Sequence, residues 1–213
     1  MYRLHCFCQS GNSFKAAMML NAVGAPWTAV FVDFMNGATR EADWRRSVNE
    51  MGEVPVLEDG ALKLTQSGVI LHHLVDRHGQ FGGRDDSEKR EILRWILFDN
   101  HKFSSYFVSY RFLKSFVAAE PDAGVMAWLK GRIDASFAIV ERHLADRLFI
   151  VADRPTIADF SMAGYLFFPP EESGYVLSHS HPNIARWLTR VAALPGWADP
   201  YAILPGERIR PYH

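Results

Sequence analysis

Only two cysteines occur in the 213 residues, Cys6 and Cys8. They stand too close together for an ordinary disulfide, which excludes a disulfide-stapled fold and points to a reducing compartment. Nor do they form the C-x-x-C redox motif; the spacing is C-x-C. Charge of one sign is also lacking. A formal net charge of −1 argues against nucleic acid as the main partner. No uncharged run is long enough to span a bilayer, so no membrane partner is expected. Residues 1–10 contain neither a basic n-region nor an apolar h-region, so no signal peptide is expected and the location is read as cytoplasmic. Internal repeats and low-complexity segments are absent. Strands are missing from the second half: after Ser87 the first strand-like run is Leu148–Val151, and Pro and Gly are sparse before it.

What is present is ordinary globular material, 48% hydrophobic and 22% charged, with ample length for one or two cores. Tyr2 to Cys8 reads as a strand. Gln9-Ser10-Gly11-Asn12 is a turn cluster rich in helix-capping types. A helix over Ser13–Val23 follows, stopped by Gly24 and Pro26. Trp27–Val32 is a second strand, and strand–helix–strand order predicts a parallel pair. Phe34–Arg40 reads as a loop and Glu41–Val48 as a short helix.

Residues 49–70 are the most informative stretch. Val54–Leu57 and Ala61–Leu64 read as strands joined by an Asp59-Gly60 hairpin turn. Pro55 cannot donate to a ladder, so the first strand should begin at a bend, for which a cis Val54–Pro55 bond is one route. The backbone of Val54 is then left to pair outside the sheet. Gln66-Ser67 opens a helical pattern through Val69, Ile70, Leu71, Leu74 and Val75. Its first amides lack intrahelical partners, as an anion site requires. Free strand backbone beside an anion-binding helix start suits a ligand with a peptide edge and a carboxylate; an ordinary hairpin followed by a Ser-capped helix has the same signature.

Gly79–Asp86 is a Gly-rich, charged linker. Glu88–Val117 reads as one or two long helices whose aromatics crowd nearly all faces, as plain core or as the lining of an apolar pocket over the first domain. Pro121 opens an amphipathic helix with Val125, Leu129, Ile133, Phe137, Val140 and Leu144 at three- and four-residue spacing. Thr156-Ile157-Ala158-Asp159 is a capping box for a helix through Phe168. Pro182–Leu194 is a last amphipathic helix. His179 and His181 have no further ligand pair of suitable spacing, so no metal is expected.

The segment NEMGEVPVLEDGALKLTQSGVILHHL resembles the glutathione-site segment of the soluble glutathione S-transferases, whose usual pattern is N-P-x-G-x-V-P-x-L…(E/Q)-S-x-A-I. Asn49, Gly52, Val54, Pro55, Gln66, Ser67 and Ile70 match; Glu50 and Gly68-Val69 depart from it. SGNSFKAAMMLNAVGAPW resembles bacterial members reading S-G-N-x-Y-K. The resemblance implies a thioredoxin-like βαβαββα domain (1–78), a linker (79–86) and an all-α domain (87–213). It also implies glutathione as co-substrate with no further cofactor, a small hydrophobic electrophile as second substrate, a homodimer and a role in detoxification. Residue by residue, it implies that Val54 and Pro55 hold the cysteinyl backbone of glutathione and that Gln66 and Ser67 hold its γ-glutamyl carboxylate. Ser10 is the implied thiol activator, with Asn12 at the helix start. Ser-Gly-Asn alone reads as a helix cap; its register with the other two motifs gives it weight. Arg40 aligns with a basic position suited to the glycine carboxylate, with Lys15, Arg45 and Arg46 as alternatives. Asn100, His101, Phe103 and Phe107 are the candidate electrophile pocket. Two other functions fit the same family pattern: glutathione-dependent disulfide reduction, and a non-catalytic regulator or scaffold.

Overall fold

A computed structural model describes residues 1–213. The chain divides into two compact units. One comprises Met1–Gly82 and Leu194–Arg208, the other Gly83–Ala193 and Ile209–His213. The change of unit at Gly82–Gly83 lies inside the expected linker. Leu194–Arg208, from the end of the stretch read as all-α, groups with the first unit. Polar contacts hold it there. Asn21 Nδ2 donates to the Gly196 carbonyl at 2.9 Å, and Gln9 Nε2 and the Cys8 thiol donate to the Glu207 carbonyl at 2.7 and 3.2 Å. A proline-punctuated tail has no hydrophobic period from which this return is readable.

The first unit runs β1 (Tyr2–Cys6), α1 (Gly11–Ala22), β2 (Trp27–Phe31), a 3-10 turn (Ala38–Arg40), α2 (Ala42–Ser47), β3 (Val56–Asp59), β4 (Leu62–Thr65) and α3 (Ser67–His78). The sheet order is β2-β1-β3-β4, with β1 and β2 parallel and the other neighbours antiparallel. This is the expected βαβαββα thioredoxin-like order. The first hairpin strand starts at Val56, not Val54, because Pro55 has no N–H for the ladder; the Val54–Pro55 bond is cis. Helix α1 is buried from Ser13 to Leu20 on every face, which its small and unbranched residues (Ala16, Ala17, Met18, Met19) permit. It packs against α3, so the starts of the two helices belong to one neighbourhood.

The second unit is helical: α4 (Asp86–Phe98), α5 (Ser104–Phe116), α6 (Ala123–His143), α7 (Ile157–Ala163), α8 (Pro170–Ser173), α9 (Leu177–Ser180) and α10 (Pro182–Ala192). A π turn over Asp99–Phe103 joins α4 to α5. The one further helix, α11 (Pro200–Ile203), lies in the returning segment of the first unit. The aromatic stretch is not buried all round: Leu97 and Phe112 are exposed, while Trp95, Phe103 and Phe107 enter the core. Phe137 of α6 is the hub of that core, with ring centroids 5.0 Å from Phe103, 5.7 Å from Phe107 and 5.4 Å from Tyr175. Arg111 and Glu172 form a buried ion pair, with the guanidinium carbon 3.9 Å from the centroid of the Phe168 ring.

The Leu148–Val151 run forms no strand. Its Ile150 is held from both sides, the amide donating to Asp159 Oδ1 at 2.9 Å and the carbonyl accepting from His143 Nε2 at 2.7 Å. The capping box at Thr156 is present as expected, but α7 ends at Ala163 rather than Phe168. No helix is long and apolar enough to cross a membrane.

Candidate glutathione site

Ser10 caps α1. Its Oγ accepts the Ser13 amide at 3.1 Å and lies 2.9 Å from the Ser13 hydroxyl. Capping and thiol activation are compatible, because the cap uses a lone pair of Ser10 and leaves its proton. Asn12 follows one turn position later, half-buried, and its Oδ1 lies 3.5 Å from the hydroxyl of Ser67. The turn motif and the start of α3, far apart in sequence, therefore meet.

At the other helix start the capping is different. Gln66 has left-handed backbone (φ 66°) and its side chain gives α3 no cap. That side chain instead donates to Glu53 Oε2 at 2.8 Å. The amides of Ser67, Gly68 and Val69 are thus left at a helix N-terminus with no side-chain cap, the first two on buried residues and the third on an exposed one. The amide of Ile70 is the first to be taken up, by Gln66.

Val54 faces this helix start by register. Val56 is paired with Thr65, so Val54 and Ser67 stand two residues beyond the last pair, on either side of the open end of the hairpin. Neither backbone group of Val54 bonds another backbone group. The loop that delivers it is fixed by Asn49, which the sequence reading matched to the family pattern without assigning it a task. Asn49 is buried, its Nδ2 donates to the Glu53 carbonyl at 2.9 Å and its Oδ1 accepts the Met51 amide at 3.1 Å. Gly52 sits at φ 69°, where a Cβ would lie 2.8 Å from the Thr39 carbonyl and from an Arg45 guanidinium nitrogen.

The basic candidates separate by position. Arg40 is exposed at the end of the 3-10 turn. Arg45 lies against Gly52, Arg46 is paired with Asp43, and Lys15 is fully buried in α1. In the helical unit, Asn100 and His101 are exposed on the π turn, whereas Phe103 and Phe107 are buried against Phe137. Those two rings are part of the core of their own unit. A cleft of about 440 Å³ in the same unit is lined by Arg84, Glu88, Arg147, Asp153 and Arg154, a charged wall unsuited to an apolar electrophile. No three His, Cys, Asp or Glu side chains come together as metal ligands. Both cysteines are buried, and burial pushes the Cys6 thiol up to about 12, so it stays a thiol.

Comparison with known proteins agrees with this geometry. The family model "Glutathione S-transferase, N-terminal domain" matches residues 2–76, and "Glutathione S-transferase, C-terminal domain" matches residues 102–195. The chain belongs to the glutathione S-transferase family. Glutathione S-transferase F14 of Arabidopsis thaliana is 28% identical over 205 residues, covering 92% of this chain and 80% of the relative. Glutathione S-transferase 3 of Zea mays is 25% identical over 210 residues, covering 92% and 91%. The crystal structure of a glutathione S-transferase from Xanthobacter autotrophicus Py2 superposes with a TM-score of 0.84 at 30% identity, covering 93% of this chain and 96% of that one. Ure2p in complex with glutathione has the same fold, with a TM-score of 0.83 at 23% identity over 92% of this chain and 95% of that one. Within this transferase fold, the first unit carries the two helix starts and the Val54 bend described above.

Proposed function

We propose that this family member binds glutathione in its first unit and transfers the thiolate to a small hydrophobic electrophile. The observation that carries the proposal is the meeting of two helix starts, Asn12 against Ser67, beside the unpaired backbone of Val54. In this reading Val54 and Pro55 receive the cysteinyl backbone, and Gln66, Ser67 and the following amides receive the γ-glutamyl carboxylate. Arg40, exposed and without an ion-pair partner within the chain, takes the glycine carboxylate. Ser10 donates its hydroxyl proton to the glutathione sulfur. The electrophile is assigned to the neighbourhood of Asn100 and His101. A homodimer in the cytoplasm belongs to the same reading.

The energetics are adequate. A thiol of pKa about 8.5 is only a few per cent ionised at pH 7. Lowering it by about two units requires about 2.7 kcal/mol. A hydroxyl bonded to an anion supplies about 1.5–3 kcal/mol, and a helix N-terminus about 0.3–1 kcal/mol. The thiolate fraction at pH 7 then rises about 25-fold. Reduced basicity returns much of that gain, since nucleophilicity falls with a slope of about 0.4–0.5. Holding the thiolate against the electrophile must therefore supply most of the acceleration.

Turnover assays test the reading. An aryl halide plus glutathione should give conjugate at a rate above the uncatalysed one. Turnover of a glutathione-linked mixed disulfide with no aryl halide conjugation would favour the reductase function. Neither activity, with glutathione still bound, would favour the regulator.

A further inference from the structure

Ser13 occupies the third position of α1 and is fully buried. Its hydroxyl has a single neighbour of the right kind, Ser10 Oγ at 2.9 Å. Only one proton can lie between those two oxygens. If Ser10 donated, the Ser13 proton would be left buried and unpaired, and a buried unpaired donor bears its full desolvation cost. If Ser13 donates, the proton set free is that of Ser10, which at 5% keeps a little exposure where Ser13 has none. Burial thus sets the direction of the bond. Ser10 Oγ then accepts twice, from the Ser13 hydroxyl and from the Ser13 amide at 3.1 Å. A hydroxyl oxygen has two acceptor positions and one proton, so the proton of Ser10 is left to point away from the helix.

We propose that Ser13 is a positioning residue, which by donating to Ser10 Oγ commits the Ser10 hydroxyl to donate to the sulfur of bound glutathione. The proposal rests on Ser10 being the thiol activator. Two effects follow. The Ser10 proton has one direction instead of several, and an oxygen that accepts two bonds is a stronger donor through its own proton. Ser13 need not touch the ligand.

Ultraviolet titration of glutathione bound to the wild type, Ser10→Ala, Ser13→Ala and the double variant tests this, with melting curves for each. Alanine removes only an oxygen from a buried helical position and keeps the amide cap. Ser13→Cys serves as a second variant, since its shape is nearly that of serine while its S–H is a weak donor. Either single change at Ser13 should raise the titration midpoint of the bound thiol by about 0.3–0.5 unit, a two- to threefold loss of thiolate at a fixed pH below the midpoint. Glutathione affinity should hold. The double variant should match Ser10→Ala, because a residue acting only through Ser10 has no effect once that hydroxyl is gone. An unmoved midpoint in both Ser13 variants, with a shift in Ser10→Ala, would overturn the role of Ser13 and leave Ser10 in place. An equal shift from Ser13→Ala in both backgrounds would also overturn it, since the effect would then come from helix structure. An unmoved midpoint in Ser10→Ala would remove the activator, and this inference with it.

Discussion

The hydroxyl of Ser67 stands 3.5 Å from the side-chain oxygen of Asn12, bringing together the first turns of α3 and α1. One helix start is capped by its own Ser10; the other has no side-chain cap. The contrast divides the labour expected of them. The capped start presents a hydroxyl proton, and the uncapped one presents amides.

Ser10→Ala should therefore separate chemistry from binding. Turnover of an aryl halide at saturating glutathione should fall about tenfold, as expected when a bond worth about 1.4 kcal/mol in the reacting state is lost. The glutathione affinity should change little, because the contacts proposed at Val54 and Ser67 remain. Asn12→Ala should have the smaller effect on turnover. Steady-state kinetics of both variants check this; a larger loss in Asn12→Ala would shift the activating role to the amide.

Gly52→Ala should weaken glutathione binding without touching any proposed contact residue. At φ 69° an alanine is strained, and its Cβ would lie 2.8 Å from the Thr39 backbone carbonyl. Positive φ alone costs about 1 kcal/mol, so the loop from Asn49 to Val54 is expected to shift. A several-fold higher dissociation constant by calorimetry is the expected outcome, with a melting point a few degrees lower.

Asp159→Asn should destabilise the helical unit although it is nearly isosteric. Oδ1 accepts from the Ile150 amide at 2.9 Å and the Trp187 indole at 2.8 Å, and Oδ2 accepts from the Thr156 amide at 2.8 Å and the Thr156 hydroxyl at 3.2 Å. Burial pushes this carboxyl up, while the four donors pull it back down. Neither oxygen can become an NH₂ without facing two donors. Each buried donor left unpaired costs about 1–3 kcal/mol, so a loss of about 3 kcal/mol is expected by denaturant unfolding. Thr156→Ala should cost less, about 1 kcal/mol for a lost cap. Glutathione affinity should be unchanged in both.

His143 gives the helical unit a pH dependence. Burial holds its imidazole below the ordinary value, and the charges of Arg147 and Arg94 add to this. The neutral ring donates from Nε2 to the Ile150 carbonyl. Because the folded value lies below the unfolded value of about 6.5, the unfolded chain binds the proton first as pH falls. This contribution to stability is therefore full above pH 6.5 and is lost on acidification until the folded ring also titrates. Wild type should lose more stability than His143→Gln between pH 7.5 and 5.5, measured by urea melts at both values.

Much of the first unit was legible in sequence because its signals are local and discrete. Pro55, Asp59-Gly60 and Gln66-Ser67 fix a bend, a turn and a helix start within a few residues of one another. Boundaries moved where a single backbone group decides, as when Pro55 delayed β3 to Val56. What the sequence concealed were long-range choices. Glu207 reaches the β1–α1 turn through its carbonyl, a group every residue has. Phe103 and Phe107 meet Phe137 of another helix, a contact that periodicity does not show. Ser13 looked like any helix-compatible residue until its distance to Ser10 was known.

The central claim is that the first unit binds glutathione at the open end of the β3–β4 hairpin. Calorimetric titration of the full chain with glutathione, beside Ser67→Ala, tests it most directly. Saturable binding at or below millimolar glutathione is expected, weakened about tenfold in Ser67→Ala by the loss of one hydrogen bond to a carboxylate. No heat of binding in the wild type at millimolar glutathione, or equal affinity in the variant, would contradict it.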